Sequence, residues 1–549
     1  MDFKEALQLA AHIEGLRKER YEQWRELCTL LMPHRGCFKG EEEKYGLRNR
    51  KIFNNHAVRA LSESAAMLTS CCTPEGLDWF SHDFIDKQPG ELQGAAEWLD
   101  HVDDIIGNCL KMGGFYETIN ACNEELLGVG CMLISAMPGS TKPLVYRYST
   151  VGTYAVALDR DGELYAVVEH ESFTARELKE TFGEALLTDA TRTAAAETPY
   201  KDIDVIHFTV RRTVRNPGRV DRLNKPVASY WWESGGERFL SESGYDSMPY
   251  FFCVWSKGRG IYGTGPGDLA RADQRAIETM ELYKSMGIEK TIDPPMLIPG
   301  GMAGKLNMNP GARNVGAMSM PDQVRPLYQI DFTRGIQEVQ ADIQLISQRM
   351  DETLMKTVFA VPPDELLKGM TATAVVSRRR AAIQKMGPAV SRYETSVLSP
   401  LIERTFSVLW NLGFIPRPPE GLADVYTHIV YKSPLAEGLR QSDSDSLAAF
   451  LNLVQPIIQA VPEAADKIKW DEAVSLAAKA YAVDPSVLAS KEEVEAIRQQ
   501  RAEAQQAQQE QEQQMQAMQA AAQVGGVSTN KTLAGALLAP EGEQNAIVQ

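Results

Sequence analysis

FTRGIQEVQADIQLISQRMDETLMKTV, residues 332–358, is a long polar run whose apolar residues draw one thin stripe. Ile336, Val339, Ile343, Ile346, Met350 and Leu354 recur at intervals of 3-4-3-4-4, a seam narrower than the apolar face of an ordinary core helix. Arg334, Glu338, Asp342, Arg349, Asp351, Glu352 and Lys356 occupy the other faces, with Asp331 just ahead. The spacing predicts a helix about 40 Å long at 1.5 Å per residue. A second polar helical run, Asp268–Lys290, precedes it, and residues 291–330 between the two are rich in Pro, Gly and Met without helical period. Pro362-Pro363 follows, then a third helical tract, Thr371–Leu412, that contains Gly387-Pro388 and Ser399-Pro400. An interior proline costs a helix about 3 kcal/mol and bends or stops it. Ile383, Met386, Val390, Tyr393, Val397 and Leu401, with Leu398, Ile402 and Leu409 on the adjoining row, nevertheless keep helical spacing. The tract reads as a kinked helix buried along one side.

Upstream, residues 2–32 read as one helix stopped by Pro33, with Leu7, Ile13, Leu16, Trp24, Leu27 and Leu31 among its apolar positions. Further helical runs cover Asn55–Ser70, Glu91–Lys111 and Tyr116–Leu127, the last two separated by Gly113-Gly114. From Met132 the period changes to two, in MLISAM, LVYRYS, TYAVAL and LYAVVEH, with an Asp159–Gly162 turn before the last. Thr174-Ala-Arg-Glu177 is a capping box opening a short helix that ends near Gly183. Strands resume at IDVIHFTVRR, VASYWWE and PYFFCVW. The first 265 residues are therefore expected to be α+β, helices first and a mostly antiparallel sheet second. Beyond Gly413 come short Ala-rich helices, a second capping box at Ser490–Glu493, and a Gln/Ala helical tract ending at Gly525-Gly526. The last two dozen residues are expected to be disordered.

The 549 residues suffice for three or four domains, and 44% hydrophobic with 24% charged residues is a globular composition. No apolar run approaches the roughly 18 residues of a membrane span, and the N-terminus has no signal-peptide core. The eight cysteines form no CxxC pair and read as reduced thiols of a cytosolic protein. A net charge of −16 opposes tight general binding to duplex DNA, which needs clustered Lys and Arg. It leaves open a protein that surrounds DNA without gripping it.

Gly258–Gly263, GRGIYG, fits G-x-G-x-x-G after a strand-like run. In a dinucleotide site the helix starts at once and its N-terminus meets the pyrophosphate. Here Thr264-Gly-Pro-Gly267 intervenes and no second parallel strand follows, so a Gly-rich corner feeding a helix is the expected role. Asp159-x-Asp161-Gly162 lacks the acidic twelfth position of a calcium loop and reads as a hairpin turn. No phosphate loop, H-E-x-x-H or G-x-S-x-G occurs, so the chain is not expected to hydrolyse ATP itself; no catalytic residue, cofactor or metal is expected. Arg211, Arg212, Arg215, Arg219, Arg222 and Lys225, with Asp221 the one acid among them, form either a solvated hairpin tip or a surface for nucleic acid or an acidic subunit. Residues 294–330 carry Lys305, Arg313 and Arg325 against Asp322, together with Met296, Met302, Met308, Met318 and Met320; the segment either packs locally or forms an adaptable docking surface, which its methionines suit.

Several of these features together resemble the portal, or head-to-tail connector, proteins of short-tailed bacteriophages. The residues that carry the likeness are Trp24…Pro33-His-Arg-Gly36, Trp79-Phe80 after Pro74, and Phe115…Leu126-Leu127-Gly128-Val-Gly130. Tyr262-Gly263-Thr-Gly-Pro266 and Asp293-Pro294-Pro295 add to them. The most specific are Met370-Thr-Ala-Thr373 before Arg378-Arg379-Arg380, Leu398-Ser-Pro400-Leu-Ile402 and Ser433-Pro-Leu-Ala436. The likeness runs over about residues 1–500. Ala374 departs from it, standing where an acidic residue is expected.

The resemblance implies a largely helical α+β portal fold that assembles as a ring, usually of twelve subunits, around a channel. In its terms residues 1–265 form the wing, 266–290 and 331–358 the two stem helices, and 291–330 the clip. Residues 359–370 form the channel loop, 371–432 the kinked wing helix with a return strand, 433–489 the crown, and 490–524 a C-terminal helical barrel, before a disordered tail at 525–549. Lys368, Asp364, Glu365, Arg349 and Lys356 would face DNA in the channel. Lys305, Arg313, Arg325, Met308 and Met318 of the clip would meet the terminase large subunit and later a tail adaptor. Major capsid and scaffolding proteins are the other implied partners, with the virion's portal vertex the site of residence and the host cytoplasm the site of assembly. A stem about 40 Å long lies along roughly 24 duplex phosphates, and neutralising even six to ten of them would hold DNA fast. An acidic, mixed-charge wall lets it pass. Two other readings remain: a cytosolic nucleotide-cofactor enzyme built on the GRGIYG corner, and an assembly scaffold without DNA contact.

Overall fold

The structure, a computed structural model, describes residues 1–38, 52–84, 94–292 apart from 217, 220 and 259, 296–297, 325–326, 332–359, 386–419, 427–432, and residues 494 and 498. The chain divides into two units, Met1–Ser442 and Asp443–Gln549, and the described strands and the helices packed around them belong to the first. The expected crown, helical barrel and tail, residues 360–385, and nearly all of 291–330 lie outside the described residues.

The first thirty residues are two helices rather than the expected one, α1 (Phe3–Leu16) and α2 (Lys18–Leu31). Arg17 is the joint. Its buried guanidinium donates to the Gly152 carbonyl at 3.0 Å and to that of Tyr154 at 2.8 Å, so the chain turns where this side chain dives inward. The two helices then serve different cores. Ala6, Ala10 and Ile13 of α1 cover a five-stranded sheet, whereas Trp24, Leu27 and Leu31 of α2 enter the main core. Leu7 and Leu16, two of the apolar positions of this stretch, are exposed.

Helices α3 (His56–Cys72), α4 (Ala95–Met112) and α5 (Phe115–Gly128) follow, with the ribbon strand β1 (Phe80–Phe84) between the first two. Gly114, at φ 78°, makes the α4–α5 break that the Gly-Gly pair foretold. Strands β2 (Cys131–Pro138) and β3 (Leu144–Ser149) join the later β9 (Tyr250–Val254) in an antiparallel sheet ordered β3-β2-β9. The central β2 is buried on both faces from Cys131 to Ala136, which is why its apolar run lacks clean alternation. The second sheet, β4-β5-β6-β7-β8, is an antiparallel meander of β4 (Tyr154–Leu158), β5 (Leu164–Thr174), β6 (Asp202–Arg211), β7 (Val227–Glu233) and β8 (Ser241–Tyr245). Asp159 Oδ1 accepts from the amides of Asp161 and Glu163 and closes the β4–β5 hairpin. The Thr174–Glu177 capping box forms as expected and starts α6 (Ala175–Phe182), which α7 (Asp189–Glu197) follows.

Residues 386–393 are helical and run into a π-helical turn, Glu394–Leu398, then α11 (Ser399–Asn411). Pro400 supplies no amide to the turn before it, and the wide turn at Glu394–Leu398 absorbs that missing bond. Met386, Val390, Tyr393, Val397, Leu398, Leu401, Ile402 and Leu409 are all buried, as their spacing predicts. The return strand β12 (Thr427–Tyr431) pairs antiparallel with β1, Phe80 opposite Tyr431.

One buried acid makes the fold pH-sensitive. Glu125 of α5, 1% exposed, accepts from Thr150 Oγ1 and, at 3.1 Å, from the Val151 amide. Burial raises its pKa to about 7 against the pull of those donors and of Arg35. The native state thus holds this proton more tightly than the unfolded chain. Its stabilising contribution is full below about pH 4.5 and lost as pH climbs through 7. Glu125→Gln, which mimics the protonated form, is expected to flatten that decline and to stabilise the protein at pH 8 by on the order of 2 kcal/mol. Parallel urea melts at pH 5 and pH 8 check it; equal losses in both proteins would show that Glu125 is not the group responsible.

Candidate functional site

The candidate site is the helical hairpin that the opening stretch of sequence forms. α8 (Pro266–Ile292) runs out, β10 (Met296–Leu297) pairs antiparallel with β11 (Arg325–Pro326), and α9 (Phe332–Thr353) returns. α8 begins two residues earlier and ends two residues later than its sequence period suggested. At 1.5 Å per residue its 27 residues measure about 40 Å.

The root of the hairpin is fixed by glycines. A Cβ on Gly267 would lie 2.8 Å from the Gly128 carbonyl carbon and closer still to its oxygen, and one on Gly265 would lie 2.8 Å from Gly130 Cα. Only bare backbone lets the start of α8 lie against the end of α5. The α8 N-terminus is occupied by its own Asp268, which accepts from the Gly265 amide at 3.0 Å and pairs with Arg20 at 2.8 Å. No helix dipole points out of the GRGIYG corner for a pyrophosphate to meet. Gly263 abuts Ser256, through the Ser256–Thr264 bridge, while a Cβ on Gly258 or Gly260 would touch nothing.

Along α8 the side chains change character. Ala270, Gln274 and Ile277 are buried at the root, and Gln274 donates to the Asn54 carbonyl at 2.9 Å. Glu26 of α2 takes both Arg271 and Arg275, and Glu278 accepts from the Phe53 amide at 2.6 Å. From Glu281 on, no residue of the helix is buried, and Leu282, Tyr283, Met286, Ile288 and Ile292 are exposed. On α9 the seam narrows as read: Ile343 and Met350 are buried, as is Leu354 just past its end, Ile336, Val339 and Ile346 are half-buried, and Leu345 is exposed off the seam.

The expected continuous helix through Val358 breaks. α9 stops at Thr353, Met355 sits at φ 66°, and α10 (Lys356–Phe359) starts after it. Met355 has the one positive φ outside glycine among the described residues, a costly backbone that neighbouring contacts must hold. Lys356 Nζ reaches Glu63 of α3 at 2.8 Å and Asp351 at 3.8 Å, and His56 bonds Asp351 at 2.9 Å.

Of the residues proposed to face DNA, Arg349 lies against Asp273 of α8, its Nε 3.0 Å from Oδ2, and Lys356 lies against Glu63. Both cations are thus matched by an acid of the same chain. Lys368, Asp364 and Glu365 lie outside the described residues, as do Lys305, Arg313, Met308 and Met318; Arg325 is the first residue of β11. Sequence reading missed the acids that hold the hairpin root. Glu26 and Glu63 sit more than two hundred residues before their partners, and no local pattern marks them.

The basic cluster is mostly satisfied locally. Arg211 pairs with Glu163 at 2.8 Å, Arg212 donates to the Leu223 and Ser243 carbonyls, and Arg215 to that of Asn224. Arg219 pairs with Asp221 and Lys225 with Asp246. Among the described residues one group, Glu169, Glu171 and His207, has ligand atoms close enough together for a metal ion. No described helix is long and apolar enough to cross a membrane.

The chain is similar to known proteins over most of its length. A family pattern described as "Bacteriophage head to tail connecting protein" matches residues 3–488. A "Probable portal protein" of Bordetella phage BPP-1 is 26% identical over 526 residues, 94% of each chain. The "Portal protein" of Salmonella phage epsilon15 is 24% identical over 504 residues, 90% of each. A solved chain from the "Virion of native gene transfer agent (GTA) particle" is 14% identical with a TM-score of 0.30, over 73% of this chain and 87% of that one.

Proposed function

Because the chain belongs to the bacteriophage head-to-tail connecting proteins, we propose that it is a structural portal subunit whose copies form a ring, usually of twelve, around a channel for duplex DNA. The observation that carries this is the hairpin of α8 and α9. It is anchored at one end by glycine contacts and ion pairs, and it bears exposed Leu282, Tyr283, Met286, Ile292 and Leu345 beyond. A projecting pair of helices with apolar side chains on several faces is stable in water when like helices stand beside it. Two of the cations at its root are paired within the chain, Arg349 with Asp273 and Lys356, just beyond α9, with Glu63. Such a wall offers DNA few uncompensated cations, so a polyanion slides past it. Particle mass and negative-stain images of the purified protein test the reading. Closed rings with a central hole are expected; solid particles, or single chains under every assembly condition, would end it.

In this reading α8 and α9 are the stem, residues 291–330 the clip, and residues 359–370 the channel loop. The clip leaves and re-enters the hairpin through the β10–β11 ribbon. Removing residues 298–324 and retaining the ribbon is expected to abolish binding to the terminase large subunit while leaving rings intact. Pull-down with the motor protein and ring imaging together check it, and loss of rings would make the segment structural. Lys368, Asp364 and Glu365 belong to the channel in the same reading. DNA retention in filled heads should change in Lys368→Ala and Asp364→Ala, and an unaltered value counts against that placement. Tail adaptors would take the terminase's place on the clip, with capsid and scaffolding proteins around the wing.

A further inference from the structure

Where the five-stranded sheet meets the three-stranded one, two carboxylates and an imidazole converge. The β5–β6 register sets Glu169 directly opposite His207, and Glu171 lies two residues on, on the same face of β5. One oxygen of each carboxylate and one ring nitrogen lie within 4.8 Å of one another. His207 is buried and stacked on Trp231, ring centroids 3.9 Å apart, so its ring cannot swing away. Ser229 Oγ lies 2.9 Å from Nε2. The Tyr250 hydroxyl of β9 lies 2.8 Å from Nδ1 and donates to Glu169 Oε2 at 2.6 Å. Ser149 donates to the other oxygen of Glu169. The Glu171 carboxyl group makes no hydrogen bond to any described residue. Both carboxylates are disfavoured as anions by burial and, for Glu171, by Glu169 beside it; the cation they feel in common is the exposed Arg147.

We propose that Glu169, Glu171 and His207 bind a divalent transition-metal ion, Zn²⁺ or Mn²⁺, at the junction of the two sheets. One imidazole nitrogen with two carboxylate oxygens is a donor set for those ions, whereas Ca²⁺ and Mg²⁺ take oxygen alone. With Nε2–H donating to Ser229, the ion would take the Nδ1 lone pair by displacing the Tyr250 hydroxyl from it, and a double positive charge offsets the two carboxylates that burial otherwise opposes. Tyr250 donates to Glu169 from the neighbouring sheet and so positions that carboxylate from outside, as partners of metal ligands do. The ion would tie β5 to β6.

The test is titration of the full-length protein, freed of metal by dialysis against chelator, with zinc chloride and with manganese chloride. Calorimetry gives the affinity and elemental mass spectrometry the count. One ion per chain is expected. Glu171→Gln removes a carboxylate that holds no other bond, so the fold is retained, and it should weaken binding by at least about tenfold. Tyr250→Phe should weaken it by roughly ten- to a hundredfold without changing the count. No uptake of either ion by the native protein overturns the proposal. So does uptake with the same affinity in Glu171→Gln, which would place the ion elsewhere.

Discussion

Gly267→Ala is expected to destabilise the protein severely, although it adds one methyl group at the start of a helix. That methyl has no free volume: it meets the carbonyl of Gly128, and neither partner is a side chain that could rotate away. Two backbones must separate, and α8 loses its seat against α5, together with the packing of Ala270 and Ile277 behind it. The cost is on the order of 4 kcal/mol, in the range reserved for overpacking and broken backbone contacts. Gly258→Ala and Gly260→Ala, where a Cβ touches nothing, should shift stability by no more than about 0.5 kcal/mol. Chemical melts of the three variants decide the matter. The ordering also separates two readings of the same motif. A dinucleotide site would constrain the early glycines of GRGIYG, which approach the pyrophosphate; here the constraint falls on the later ones, which approach protein backbone.

Tyr283→Asp combined with Ile292→Asp should convert rings into single chains. Tyr283 and Ile292 are 66% and 79% exposed in the isolated subunit, so the subunit itself loses little, and its melting temperature should stay within a degree or two. Buried against a neighbour, each would contribute about 1.5–3 kcal/mol through its apolar surface. An aspartate there adds the desolvation of an unpaired carboxylate, a further cost of several kcal/mol. Every interface in a closed ring carries the same pair of changes, so the losses multiply around it. Mass measurement with a matched melt is decisive: intact rings in the double variant would put some other surface between subunits.

How much of this was readable in advance depended on the distance over which each feature is decided. The narrow seam Ile343–Met350–Leu354, the capping box at Thr174, the Asp159 turn and the buried row from Met386 to Leu409 are local. Each is set by residues three, four or two positions apart, and sequence spacing shows it directly. The joint at Arg17 and the break at Met355 were not readable, because distant groups decide them. Gly152 and Tyr154 draw the one side chain inward, and Glu63 holds Lys356 beyond the other. The pairing of β1 with β12 likewise joins segments more than three hundred residues apart. The short strand β8 and helix α7 carried too few apolar residues to stand out.

The candidate site divides the same way. Composition and period alone determined that this acidic chain carries two long polar helices around an aperiodic insertion, and the order of its motifs fixed the family. Only the folded chain decided which charges are free. Arg349 and Lys356 read as cations available to DNA until Asp273 and Glu63 appear beside them. The Glu169–Glu171–His207 group exists only because β5 and β6 pair in one register. The reason is physical: periodicity records which face of an element turns from water, a property of neighbours in sequence, whereas a charge is neutralised or a ligand set completed by whatever chain packing brings within a few ångströms.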